Sequence, residues 1–89
     1  MKKLDALRNK VKEIDNKIIR LIGKRITITK KIGKKKKEKG IPLRNWKIEK
    51  SVIKNASVSA QNLGISQNLI KSIMQKLIDE ARYQQEMYH

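Results

Sequence analysis

The chain has 89 residues, with 23 Lys/Arg against 8 Asp/Glu for a formal net charge of +15, one His, and no Cys or Phe. Lack of Cys excludes disulfides, thiolate metal sites and cysteine nucleophiles, and the lone His89 is a poor basis for imidazole catalysis or metal ligation. No apolar run reaches membrane-spanning length and no segment has signal-peptide anatomy, so the expectation is one cytoplasmic domain over residues 1–89 without metal, cofactor or membrane partner.

The first predicted element is a helix over about residues 3–37, which contains no Pro and has only Gly23 and Gly33 as weak formers. Leu4, Leu7, Val11, Ile14, Ile18, Leu21, Arg25, Ile28 and Ile32 recur at alternating steps of three and four, an a/d heptad seam. Arg25 stands where that seam calls for an apolar side chain. A guanidinium placed there needs an anion, either a protein carboxylate or a ligand, and the small number of acids favours the ligand. The pattern Ile26-Thr27-Ile28-Thr29 alternates as a strand would, but its flanks are helical and context overrides so short a signal.

The same helix carries most of the charge, since residues 1–40 hold 16 Lys/Arg and 4 Asp/Glu. Its densest stretch is Lys34-Lys35-Lys36-Lys37-Glu38-Lys39, which fits either a solvated lysine-rich face or a polyanion site. Trp46, Tyr83 and Tyr88 are too few and scattered for a base-stacking platform, which argues against nucleic acid. Lys36 follows Arg25 by eleven residues, which at about 100° per residue leaves the two within about 20° of one face and roughly 16 Å apart along the axis. Long side chains at those positions can bracket a small anion. Arg8 lies roughly 25 Å from Arg25 along the helix, so it can join such a site only from the partner in an antiparallel dimer.

Gly40-Ile41-Pro42 stops the first helix. A second is expected from Asn45, an N-cap residue type, to Leu63-Gly64, with Ile48, Val52, Ile53, Ala56, Ala60 and Leu63 apolar. Glu49 sits in its first turn, either as a surface acid facing the helix dipole or as a site residue. A third helix capped by Ser66 presents Leu69, Ile70, Ile73, Met74, Leu77, Ile78 and Ala81, with Gln85 one turn further on and able to point inward. The fold class is therefore all-α, one long helix and two shorter ones. About half of the long seam then has no partner within the chain, so an intertwined homodimer is expected.

Leu7-Arg8-Asn9-Lys10, Glu13-Ile14-Asp15-Asn16-Lys17-Ile18-Ile19, Gly33-Lys34-Lys35-Lys36, Gly40-Ile41-Pro42 and Gln84-Gln85 together resemble the small all-helical chorismate mutases, in that family's order and spacing. The resemblance implies an intertwined dimer with two sites between subunits, and conversion of chorismate to prephenate in the phenylalanine/tyrosine branch of aromatic amino-acid biosynthesis. It implies that Arg25 and the partner's Arg8 grip the two substrate carboxylates. Lys36 and Gln85 would donate to the ether oxygen, Lys36 also reaching a carboxylate, and Glu49 would accept from the ring hydroxyl. Three positions depart from the family pattern: Asn45 replaces an acid, Ile48 an arginine, and Ala81 a serine. Two other functions compete with a mutase, an isochorismate-pyruvate lyase on the same scaffold and a non-enzymatic basic helical dimer binding nucleic acid. The lyase would hold its substrate between the same cations. The binding protein would show affinity falling steeply with salt and little dependence on Arg25.

Overall fold

A computed structural model describes residues 1–87; Tyr88 and the histidine His89 lie outside the described residues. Three helices form in chain order, α1 over Lys2–Glu38, α2 over Trp46–Asn62 and α3 over Gln67–Met87, and no strand occurs among the described residues. No helix among them is long and apolar enough to cross a membrane. The strand-like Thr positions are absorbed into α1. Thr27 Oγ1 donates to Gly23 O and Thr29 Oγ1 to Ile26 O, both at 3.1 Å, which returns each hydroxyl to the preceding turn.

The helix ends follow from local chemistry. After α1, Gly40 takes φ +68° and Ile41 N donates back to Lys36 O at 2.8 Å. After α2, Gly64 takes φ +69° and Ile65 N donates to Ala60 O at 2.8 Å. Both are left-handed caps that residues with a Cβ adopt only at a cost. The starts of α2 and α3 are capped by side chains: Asn45 Oδ1 accepts from Ile48 N at 3.1 Å, and Ser66 Oγ accepts from Leu69 N at 3.2 Å.

Helices α2 and α3 form an antiparallel hairpin, with Glu49 near the start of α2 meeting Arg82 near the end of α3. Helix α3 also runs alongside the C-terminal half of α1, while α1 and α2 make no close backbone approach. The buried side chains are few and mostly small: Ser57, Ala60, Ile78, Ala81 and Gln85. Small residues allow close helix approach, but they provide little core. The radius of gyration is 16.5 Å, against about 12 Å for a compact chain of this length, and the longest dimension is 58 Å.

Shielding from solvent divides α1 in two. Every residue from Met1 to Leu21 is exposed, including Leu7, Val11, Ile14 and Ile18 of the seam. The residues turned toward the protein's interior are Ile22, Arg25, Ile26, Thr29, Gly33, Lys36 and Lys37, a helical stripe of its own. The seam and this stripe are different faces, and Arg25 belongs to both. Covering the half-exposed seam would contribute about 1 kcal/mol for each aliphatic side chain, half the value of full burial.

The hairpin start offers a clean stability test. Ser66→Ala removes the oxygen that accepts from Leu69 N, and unfolding in urea should show a loss of about 1 kcal/mol. An unchanged midpoint would mean that the cap contributes nothing.

Candidate active site

A cavity of about 200 Å³ opens between the C-terminal half of α1, the connection to α2, the first turns of α2 and the last turns of α3. Arg25, Lys36, Asn45, Glu49, Ala81 and Gln85 all line it. Of the seven residues singled out in the sequence, only Arg8 is elsewhere, fully on the exposed half of α1. The lysine run is split by its helical phase: Lys34, Lys35 and Lys39 face solvent, and Lys36 and Lys37 turn inward.

Backbone carbonyls hold the cations in place. Arg25 Nη1 donates to Leu77 O at 3.3 Å, and Lys36 Nζ donates to Leu43 O at 3.0 Å. Each keeps further N–H donors, five being available on a guanidinium and three on an ammonium. Because a carbonyl dipole does not cancel a full charge, both groups remain able to bind an anion.

Gln85 is fixed more tightly. Its Nε2 donates to Thr29 O at 2.7 Å, and since a carbonyl oxygen can only accept, the amide nitrogen must be the atom that faces it. The second amide hydrogen is left for a ligand. Lys37 Nζ donates to the backbone oxygen of Gln85. The close approach of α3 to α1 at this point depends on Gly33, where a Cβ would lie 2.5 Å from Gln85 Cγ.

Among the described residues, Glu49 brings the one carboxylate to the cavity wall. Its Oε1 is 3.4 Å from Arg44 Nη2, and its Oε2 is 3.7 Å from Arg82 Nη1. The Arg44 guanidinium in turn lies 3.3 Å from the centroid of Trp46, a cation–π contact. Asn45 spends its Oδ1 on the α2 cap, Ile48 is an exposed apolar part of the lining, and Ala81 offers no hydroxyl. Among the described residues, no three or more His, Cys, Asp or Glu gather as a metal site would require.

Three participants carried weaker sequence signals. Arg82 is four residues after buried Ile78 and three before Gln85, a spacing that places it on the cavity side of α3. Thr29 acts through its carbonyl, which no residue type announces. Gly33 is visible as a helix-weakening residue, but its close contact depends on α3 arriving beside it. The assembled groups suit positioning and charge stabilisation of a small anion, and none is arranged as a nucleophile with its base.

Residues 7–86 match the family model described as chorismate mutase type II. The "Chorismate mutase" of Methanocaldococcus jannaschii is 31% identical over 88 residues, a match covering 99% of this chain and 89% of that protein. The "T-protein" of Haemophilus influenzae is 27% identical over 81 residues, and that of Enterobacter agglomerans 26% over 78. These matches cover 91% and 88% of this chain but only 22% and 21% of the two T-proteins.

The two glycines of α1 should respond oppositely to the same change. Gly23 has nothing within 4 Å of an added Cβ, so Gly23→Ala should stabilise by about 1 kcal/mol through helix propensity. Gly33→Ala should destabilise and displace the Gln85 side chain, because the clash outweighs that gain. Urea unfolding gives the two signs, and the Gln85 side-chain amide resonances report the displacement. Equal stabilisation at both positions would contradict the close packing.

Proposed function

The chain belongs to the type II chorismate mutase family, and from that premise we propose that it rearranges chorismate to prephenate at two sites shared between the protomers of an intertwined homodimer. The observation that carries this is the gathering of Arg25, Lys36, Glu49 and Gln85 around one cavity, with Arg8 left on the bare half of α1.

The rearrangement breaks the ether C–O bond of chorismate while a C–C bond forms between the enolpyruvyl carbon and the ring. Electrons move around one cycle, so no nucleophile, metal or net proton transfer is required. The barrier falls when the substrate is held in its folded conformer and donors face the oxygen that gains negative charge. Arg25, with the partner's Arg8, grips the two carboxylates and imposes that conformer. Lys36 and the free amide hydrogen of Gln85 meet the ether oxygen, and Lys36 also reaches a carboxylate. Glu49 accepts from the ring hydroxyl and fixes how the ring sits.

The cavity is cationic enough for a dianion. Arg25, Lys36 and Arg82 face one carboxylate, in a chain of net charge +15. The dimer supplies what a protomer lacks, a cover for the apolar seam and a second arginine for the substrate. Prephenate then serves the phenylalanine/tyrosine branch, in the cytoplasm. Asn45, Ile48 and Ala81 remove a charge or a donor from the cavity edge without touching the groups at the ether oxygen.

Incubation with chorismate followed by product identification tests the activity: prephenate is expected, whereas pyruvate release from isochorismate, without prephenate from chorismate, would mark the lyase instead. Arg25→Ala should reduce kcat/KM by roughly 10²–10³-fold. A folded wild-type protein yielding no prephenate would contradict the proposal. For the assembly, sedimentation at micromolar concentration should give the mass of two chains, and Ile14→Asp on the exposed seam should shift it toward one. A wild-type mass of one chain would contradict the shared site.

A further inference from the structure

Glu49 is a wall between two spaces. On one side is the cavity just described; on the other is a larger groove of about 500 Å³ between α2 and α3. The two arginines that approach Glu49 come from opposite sides. Arg82 lines the cavity and not the groove, and Arg44, with Trp46, lines the groove and not the cavity. Each takes a different carboxylate oxygen, Arg44 Nη2 at 3.4 Å from Oε1 and Arg82 Nη1 at 3.7 Å from Oε2.

Arg82 is itself held in place. Its Nη2 donates to Asp79 Oδ1 at 3.0 Å, one turn earlier on α3, which fixes the guanidinium plane across the mouth of the hairpin. Its Nη1 is closed to solvent and has no hydrogen-bond acceptor among the described residues, so it acts on Glu49 as a charge in a shielded place. The residue immediately before Glu49 on α2 is the apolar Ile48. Resting on the mutase reading, we propose that Arg82 is a positioning residue for that reaction: it draws the Glu49 carboxylate toward the catalytic cavity, against the opposing pull of Arg44 toward the groove.

The substrate hydroxyl that Glu49 would receive sits on a ring carbon outside the bonds that break and form. Its charge changes little between ground state and transition state, so its contact with Glu49 strengthens binding of both alike. Loss of Arg82 therefore acts mainly on KM. With Arg82 gone, Arg44 alone holds Glu49, and the carboxylate turns to the groove.

The test is a double-mutant cycle with chorismate as substrate, on Arg82→Ala, Glu49→Gln and the combination. In the wild-type background Arg82→Ala should raise KM about tenfold, with kcat within about threefold. In the Glu49→Gln background the same change should alter KM less than about twofold, because the residue through which Arg82 acts is already disabled. Arg82→Lys should recover only part of the loss, since a single ammonium cannot reach Asp79 and Glu49 as a planar fork does. Equal costs in both backgrounds, or a loss confined to kcat, would overturn the proposal. Arg82→Met retains the aliphatic stem and replaces alanine if that variant misfolds; loss of helical circular dichroism in both would assign Arg82 a purely structural role, against the proposal. Wild-type turnover is measured first, so that absence of prephenate counts against the mutase reading, whereas turnover with an additive cycle counts against the role of Arg82 alone.

Discussion

A helix of 37 residues spans about 55 Å, and because α2 folds back on α3, only the 21-residue α3, about 32 Å long, lies against it. That mismatch organises the molecule. Helix α3 lies along the C-terminal half of α1, so the cavity forms there, and the N-terminal half stays bare with its aliphatic seam in water. The same division separates Arg8 from Arg25. On the proposed reading, each chain then presents a site that lacks one arginine and a helix that displays one. The proposed pairing of two chains answers both at once.

Charge is handled in a way that suits an anionic ligand. A chain of net charge +15 could neutralise its half-buried cations with its few acids, but Arg25 and Lys36 at the cavity have no carboxylate partner among the described residues. Arg25 and Lys36 are tied to the carbonyls of Leu77 and Leu43. Carbonyls restrict these side chains without cancelling their charge, so little reorganisation is left for the moment of binding. The single carboxylate, Glu49, is bracketed by Arg44 and Arg82. Gln85 is the most constrained donor, held through its side chain by Thr29 and given room by Gly33.

Much of this was legible in the sequence because it rests on local rules. Gly40, Gly64, Asn45 and Ser66 bound the helices through caps that single residues determine. Helical phase was enough to select Lys36 from its run and to set Arg25 beside it, and both line the cavity. What depended on packing between helices was less visible. The seam of α1 is the loudest apolar pattern in the chain, yet α3 rests on the neighbouring stripe from Ile22 through Gly33, which mixes apolar, polar and glycine positions. On α3 the buried side chains Ile78, Ala81 and Gln85 do fall on the face that the sequence marks as inward. The pairing of Arg82 with Glu49 joins residues 33 positions apart and becomes apparent only when α2 and α3 fold back on each other.

The central claim is that one active site is assembled from two chains, with Arg25 and Arg8 drawn from different protomers. The most direct measurement mixes inactive Arg8→Ala and Arg25→Ala homodimers, allows exchange, verifies heterodimers by mass, and assays prephenate formation. A heterodimer has one site in which both lesions are collected and one in which neither is present. Recovery of about half the wild-type activity per heterodimer is predicted. Verified heterodimers that remain as inactive as their parents would contradict the shared site.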